Sequence, residues 1–167
     1  LAPVVMYYSP DLQNVIFYSG ESSRTTHGAK ECVDACCYFA SLLHYAFDGA
    51  GKEDILQSDF YSPETKKVSA IKNGEYLNKS IDEITGNGYV INCLEASLWC
   101  FAKTSNYRDA VLTAANLGDD ADTTAAVCGQ LAGAYYGVDA IPAEWKNKLT
   151  MRSEIDALAI DLGSSIV

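Results

Sequence analysis

Residues 118–137 read GDDADTTAAVCGQLAGAYYG, and this stretch decides both the fold class and where to look for chemistry. Asp119, Asp120 and Asp122 fall within four positions, so their mutual repulsion must be offset by something cationic or by a helix end. Two explanations stand side by side. Asp and Thr at a helix N-terminus accept bonds from orphan N–H groups and favour the positive end of the dipole. Alternatively, Asp120, Asp122 and Thr123 form an oxygen-only ligand set suited to Mg²⁺, Mn²⁺ or Ca²⁺. An EF-hand is excluded, because counting from Asp120 the sixth residue is Ala125 and the twelfth is Leu131.

The next residues predict a helix from Thr123 to Tyr136, with Ala125, Gly129, Gly133 and Gly137 four apart on one face. Each interior glycine costs about 1 kcal/mol of helix propensity relative to alanine. Close approach of another backbone to that face would compensate and would pin the aspartate loop. Working outward, a helix is expected from about Lys30 to Phe47, stopped by Gly49-Ala50-Gly51, and another from Tyr89 or Val90 to Ala102. Ser105-Asn106 caps a helix through Leu117, Ile141-Pro142 opens a short one through Trp145, and Ser153 caps the last. Ser9-Pro10 is expected to launch a helix to about Arg24. Residues 58 to 88 have weak periodicity and room for one short helix at most. No alternating strand pattern occurs, so the class is all-α, a compact bundle of roughly six to eight helices.

Composition narrows function. A chain of 167 residues with 49% hydrophobic content is sized for one domain with a real core. The formal net charge of −10 argues against nucleic acid as a partner. A phosphorylated ligand stays open to it if bound cations supply positive charge. Cys32, Cys36, Cys37, Cys93, Cys100 and Cys128 form no Cys-x-x-Cys pair, and with His27 and His44 they make a poor zinc pattern. They fit buried free thiols in a reducing cytoplasm. No apolar run reaches the roughly 20 residues a bilayer span needs, and no signal peptide opens the chain. The expected location is cytoplasmic, without membrane association. The opening Leu1-Ala2-Pro3-Val4-Val5-Met6 has no polar lead-in and looks cut from something longer.

The stretch from Gly118 to Gly137, followed by Asp139-Ala140-Ile141-Pro142 and Trp145, resembles the C-terminal signature of the ADP-ribosylglycohydrolase family. Leu1-Ala2-Pro3, Glu21 to His27, Gly88-Tyr89-Val90 and Leu94-Glu95-Ala96 agree with it in order. The resemblance implies that residues 1–167 are the C-terminal part of one such all-α domain. It implies two divalent cations, Mg²⁺ or Mn²⁺, held on this side by Asp120, Asp122 and Thr123. Asp119, where many members carry glycine, is expected to face solvent or to sit behind the ligands without binding metal itself. The remaining ligands, in an early Thr-Asp-Asp-type segment, and the general base are expected outside this chain.

The implied reaction is hydrolysis of the glycosidic bond to ADP-ribose on a modified protein side chain or a small ADP-ribosyl compound. His27, Gly88 and Tyr89 are the expected substrate contacts: an imidazole near the diphosphate, a glycine permitting close approach and a ring at the pocket mouth. A lone histidine after a helix is otherwise a capping or surface group, and Tyr89 otherwise a core aromatic. The alternative function is a non-catalytic ADP-ribose-binding or structural relative of the same fold. With half of the ligands elsewhere, the 167 residues alone are expected to be inactive. The missing N-terminal half is expected as a partner segment along the glycine face of the 123–136 helix, or else these residues alone are expected to be poorly soluble.

Overall fold

The computed structural model describes residues 1–9 and 11–164. Among them there is no strand, and the all-α class holds: ten α-helices and three short 3-10 turns. That exceeds the expected number because several helices are too short to show periodicity, among them α1 (Ala2–Tyr8) and α4 (Lys52–Leu56). None of the described helices is long and apolar enough to cross a membrane.

The second helix, α2 (Leu12–Arg24), is capped by Asp11, whose carboxylate accepts from the N–H groups of Gln13 and Asn14 at 2.9 and 3.2 Å. Asp11 therefore does what was expected of Ser9, and the proline expected at the first helical position lies outside the described residues. The helix α3 (Lys30–Phe47) matches its expected span and runs through the middle of the molecule, packed on α2 and on the later helices α6 and α8. Ala40, Leu42 and Leu43 at its centre are fully buried. Gly20 of α2 is a site of close helix approach, since a Cβ there would come within 3.0 Å of the Cys37 sulfur.

Between α4 and α6 the chain holds α5 (Lys66–Lys72) and two 3-10 turns. This segment lacks periodicity because polar staples hold it. The buried Asp34 carboxylate accepts from the Tyr61 hydroxyl, the N–H groups of Glu64 and Thr65, and the Thr65 hydroxyl, at 2.6 to 3.0 Å. Lys79 pairs with Glu95 at 2.7 Å, and the Trp99 indole N–H donates to the Lys79 carbonyl.

The helices α6 (Val90–Lys103), α7 (Tyr107–Ala115) and α8 (Ala121–Tyr136) pack on one another. Asn106 caps α7 as expected, accepting from the Asp109 N–H at 2.8 Å. Helix α8 begins two residues earlier than expected, so Asp120 is its N-cap and Asp122 and Thr123 lie in its first turn. Two short helices follow, α9 (Ala143–Lys148) and α10 (Arg152–Ser164). Ser153 lies inside α10, which starts after Met151 in the left-handed region at φ 57°, so Ser153 is not the cap.

The glycine face of α8 is not covered as expected. Side chains of α7 lie over it: a Cβ on Gly129 would meet the Tyr107 hydroxyl at 3.5 Å and Val111 at 3.6 Å, and one on Gly133 the Tyr107 ring at 3.7 Å. These are ordinary contact distances, so no backbone is in the way and the face is already occupied from within the chain. Gly133→Ala should therefore raise stability by about 0.5–1 kcal/mol through helix propensity and unfolded-state entropy, read as a higher urea midpoint. A lower midpoint would mean that the face needs its glycines.

All six cysteines are free, as expected. Cys37, Cys93, Cys100 and Cys128 are buried, and burial pushes the thiols of Cys100 and Cys128 up to about 12. Cys32 and Cys36 are only half-buried, and the reason is a cleft.

Candidate functional site

The aspartate loop is built on two backbone irregularities. Gly118 at φ 80° and Asp119 at φ 52° both sit in the left-handed region and turn the chain sharply into α8. The turn leaves Asp119 exposed, as expected, and Asp120 half-buried. The Asp120 N–H then donates to the Gly86 carbonyl at 3.0 Å, and the buried Thr124 hydroxyl donates to the same oxygen at 3.3 Å. A Cβ at Gly86 would sit 3.0 Å from the Thr124 hydroxyl, and one at Gly88 3.4 Å from an Asp120 carboxylate oxygen. The loop is thus pinned as the sequence suggested, but by Gly86-Asn87-Gly88 rather than by the α8 glycines.

The two segments face a single cleft of about 650 Å³, within the usual range for a small-molecule site. Asp120, Thr123, His27, Gly88 and Tyr89 all line it. Five of the six expected site residues, drawn from three separate stretches, therefore share one cavity. Asp122, in the first turn of α8, is exposed and lies outside the lining.

The Thr123 hydroxyl donates to Asp120 Oδ1 at 2.8 Å. With its proton spent on Asp120, the Thr123 oxygen keeps lone pairs for a further partner. No Lys, Arg or His among the described residues forms an ion pair with Asp119, Asp120 or Asp122. The described residues hold no group of three His, Cys, Asp or Glu arranged for a metal, and the oxygens that the expected set brings to the cleft are those of Asp120 and Thr123. That all-oxygen set fits a hard divalent cation and poorly fits zinc.

His27 follows the end of α2. Its backbone N–H donates to the Ser23 carbonyl at 2.7 Å and its own carbonyl accepts from the Ser23 hydroxyl at 3.0 Å. The imidazole is exposed, with Nδ1 2.9 Å from the Thr26 hydroxyl oxygen, which leaves Nε2 for the cleft. Tyr89 is 38% exposed, so it is a wall of the cleft and not the core aromatic of the plain alternative.

Sequence reasoning missed two features. The first is Glu31, which lines the cleft and accepts a hydrogen bond from the Tyr89 hydroxyl. In sequence it is an ordinary acid in a helix first turn. The second is the convergence of three helix N-termini. Ala29, Tyr89 and Asp120, the N-caps of α3, α6 and α8, all line the cleft, and none gives its helix a side-chain cap bond. The positive ends of three helix dipoles therefore meet at one cavity, although the N–H groups of Tyr89 and Asp120 themselves donate to Asn87 Oδ1 and to the Gly86 carbonyl. Of the described residues lining it, none is Lys or Arg. An anion here would be met by backbone, imidazole and added cations.

Comparison with known proteins gives the family and the fold. Residues 1–166 match the family model described as ADP-ribosylglycohydrolase. The chain is 43% identical over 162 residues to the ADP-ribosylarginine hydrolase Tri1 of Pseudomonas putida, covering 97% of this chain and 43% of that protein. It is 38% identical over 151 residues to the ADP-ribosyl-dinitrogen reductase glycohydrolase of Rhodospirillum rubrum, covering 81% of this chain and 46% of the relative. A solved structure named ADP-ribosylglycohydrolase-related protein complex superposes with a TM-score of 0.92 at 37% identity, over 100% of this chain and 58% of that one. The chain spans less than half the length of these two curated relatives.

Proposed function

Because this chain belongs to the ADP-ribosylglycohydrolase family, we propose that it carries the ligand cleft and one arm of the cation site of an ADP-ribosyl hydrolase acting on arginine-linked substrates. The observation that carries this is the meeting of Asp120, Thr123, His27, Gly88 and Tyr89 in one cavity where three uncapped helix N-termini converge. The linkage follows the two relatives named ADP-ribosylarginine hydrolase, 43% and 41% identical.

In this reading the diphosphate lies against the N-termini of α3, α6 and α8, where backbone N–H groups and helix dipoles favour negative charge. His27 adds an imidazole donor, and the half-exposed face of Tyr89 borders the ribose. Phe39, Leu94 and Val127 give the cleft an apolar wall that excludes water. Asp120 and Thr123 would hold divalent cations from within the cleft, and Asp122 would add a carboxylate from the exposed start of α8. Two such cations, Mg²⁺ or Mn²⁺, supply Lewis-acid stabilisation and orientation of the ribose when bound. The transition state of glycosidic cleavage has oxocarbenium character. The early Thr-Asp-Asp-type ligand segment that the resemblance implies has no counterpart in these 167 residues, so in this reading they supply one arm of the cation site.

Metal-dependent release of ADP-ribose by the full-length protein, compared on arginine- and serine-linked substrates, tests the reading. The expected result is release from the arginine linkage that chelator abolishes. ADP-ribose binding without release from any linkage would favour the non-catalytic relative. His27→Ala and Tyr89→Ala should each weaken ADP-ribose binding by about 1–3 kcal/mol, the usual cost of a lost buried partner. Calorimetry showing unchanged affinity in both would return His27 to a surface role and Tyr89 to a bystander.

A further inference from the structure

Tyr89 is half-exposed and follows a Gly-Asn-Gly turn, so packing alone leaves its ring free to swing. Its hydroxyl, however, is held from two other helices. It donates to the carboxylate of Glu31, in the first turn of α3, and accepts from Lys67 Nζ, in the first turn of α5, at 2.5 Å. Lys67 Nζ also lies 3.3 Å from Glu31 Oε1 and 4.9 Å from the centre of the Tyr89 ring. Glu31 and Tyr89 line the cleft, whereas Lys67 reaches its rim from an element that contributes no lining residue.

We infer that Glu31 and Lys67 are positioning residues: through the Tyr89 hydroxyl they fix the ring as one wall of the cleft mouth and thereby set affinity for the ADP-ribosyl group. This rests on the reading of the cleft as an ADP-ribose site. The triad is closed on itself, since hydroxyl, carboxylate and ammonium each contact the other two. The Tyr89 hydroxyl, and behind it Lys67, hold the Glu31 carboxyl below the usual carboxylate range, so the acceptor stays ionised in mildly acidic solution. A ring held at its hydroxyl end and anchored at its backbone has lost both ways of turning. The ordering is then complete before a ligand arrives.

The sign of two charge removals separates positioning from direct electrostatics. Were Glu31 and Lys67 acting only through their fields on an anionic ligand, removing the carboxylate would tighten binding and removing the ammonium would loosen it. Positioning makes both removals weaken it.

The test is calorimetric titration of ADP-ribose into the full-length protein carrying E31A, K67M, Y89F, and the doubles E31A/Y89F and K67M/Y89F. Each single variant is expected to bind about 3–10-fold more weakly, and neither double more weakly than Y89F alone, as for residues acting through one contact. E31Q, whose amide oxygen still accepts the hydroxyl, should recover most of what E31A loses. Opposite signs for E31A and K67M, or effects that multiply in the doubles, would overturn the inference. So would full affinity in E31A and K67M. Unchanged affinity in Y89A as well would take the ADP-ribose reading of this wall down with it, whereas a weakened Y89A beside intact E31A and K67M removes the positioning role alone.

Discussion

Asp120→Ala in the full-length protein should lower ADP-ribose release by more than about 100-fold, beyond what losing a mere supporting partner of a metal site costs. The fold should hardly notice. Asp120 is the N-cap of α8 but makes no side-chain cap bond, and its link to Gly86 runs through its backbone N–H, which alanine keeps. Its carboxylate accepts only the exposed Thr123 hydroxyl. Removing it also relieves repulsion from Asp119 and Asp122. Activity and helicity should therefore separate: circular dichroism near that of the parent, hydrolysis lost. Asp122→Ala should behave the same way. Asp119→Gly is the control, since that carboxylate is exposed and its φ of 52° suits glycine. Hydrolysis that survives Asp120→Ala, Asp122→Ala and excess chelator would remove the cation role altogether.

How far the sequence carried depends on how local each feature is. Helix α3 was legible because eighteen residues of apolar spacing end in Gly49, and the aspartate loop because its charges cluster in sequence, whereas the segment that pins it, Gly86-Asn87-Gly88, lies elsewhere in the chain. Periodicity lost α1 and α4, which are under three turns long. The Ser9 and Ser153 caps failed for a different reason. Both are good capping residues, but Asp11 offers a carboxylate closer to the first turn, and Met151 makes the turn one residue before Arg152. The glycine face misled because a stripe of small residues shows that something comes close without showing what. Here it is the flat ring of Tyr107. Within the site, residues whose chemistry is their own signal, Asp120, Thr123 and His27, could be picked from the chain. Glu31 could not, because its meaning lies in a tyrosine fifty-eight positions away. Nor could the three converging helix ends, which exist only once α3, α6 and α8 are packed.

Asp34→Ala should be among the most destabilising single changes in the molecule, about 3–4 kcal/mol, from the sum of several unsatisfied donors. The side chain is 3% exposed and answers four donors at once. Two of these are the backbone N–H groups of Glu64 and Thr65, immediately before α5, so the carboxylate ties down the approach to that helix. Alanine would strand the Tyr61 hydroxyl, the Thr65 hydroxyl and both N–H groups, and water would have to enter to rescue them. Asp34→Asn separates geometry from charge. It keeps one acceptor oxygen but turns an N–H₂ towards donors, so it should cost a large part of the same amount, whereas a purely steric role would leave it neutral. Urea unfolding of both variants decides this. The effect should also reach the cleft. Asp34 ties the segment that leads into α5, and α5 carries Lys67 to Tyr89. Loosening that tie should therefore weaken ADP-ribose binding under conditions where the protein is still folded. A folded Asp34→Ala protein with parental stability and affinity would mean that the 61–65 segment is held by something other than this carboxylate.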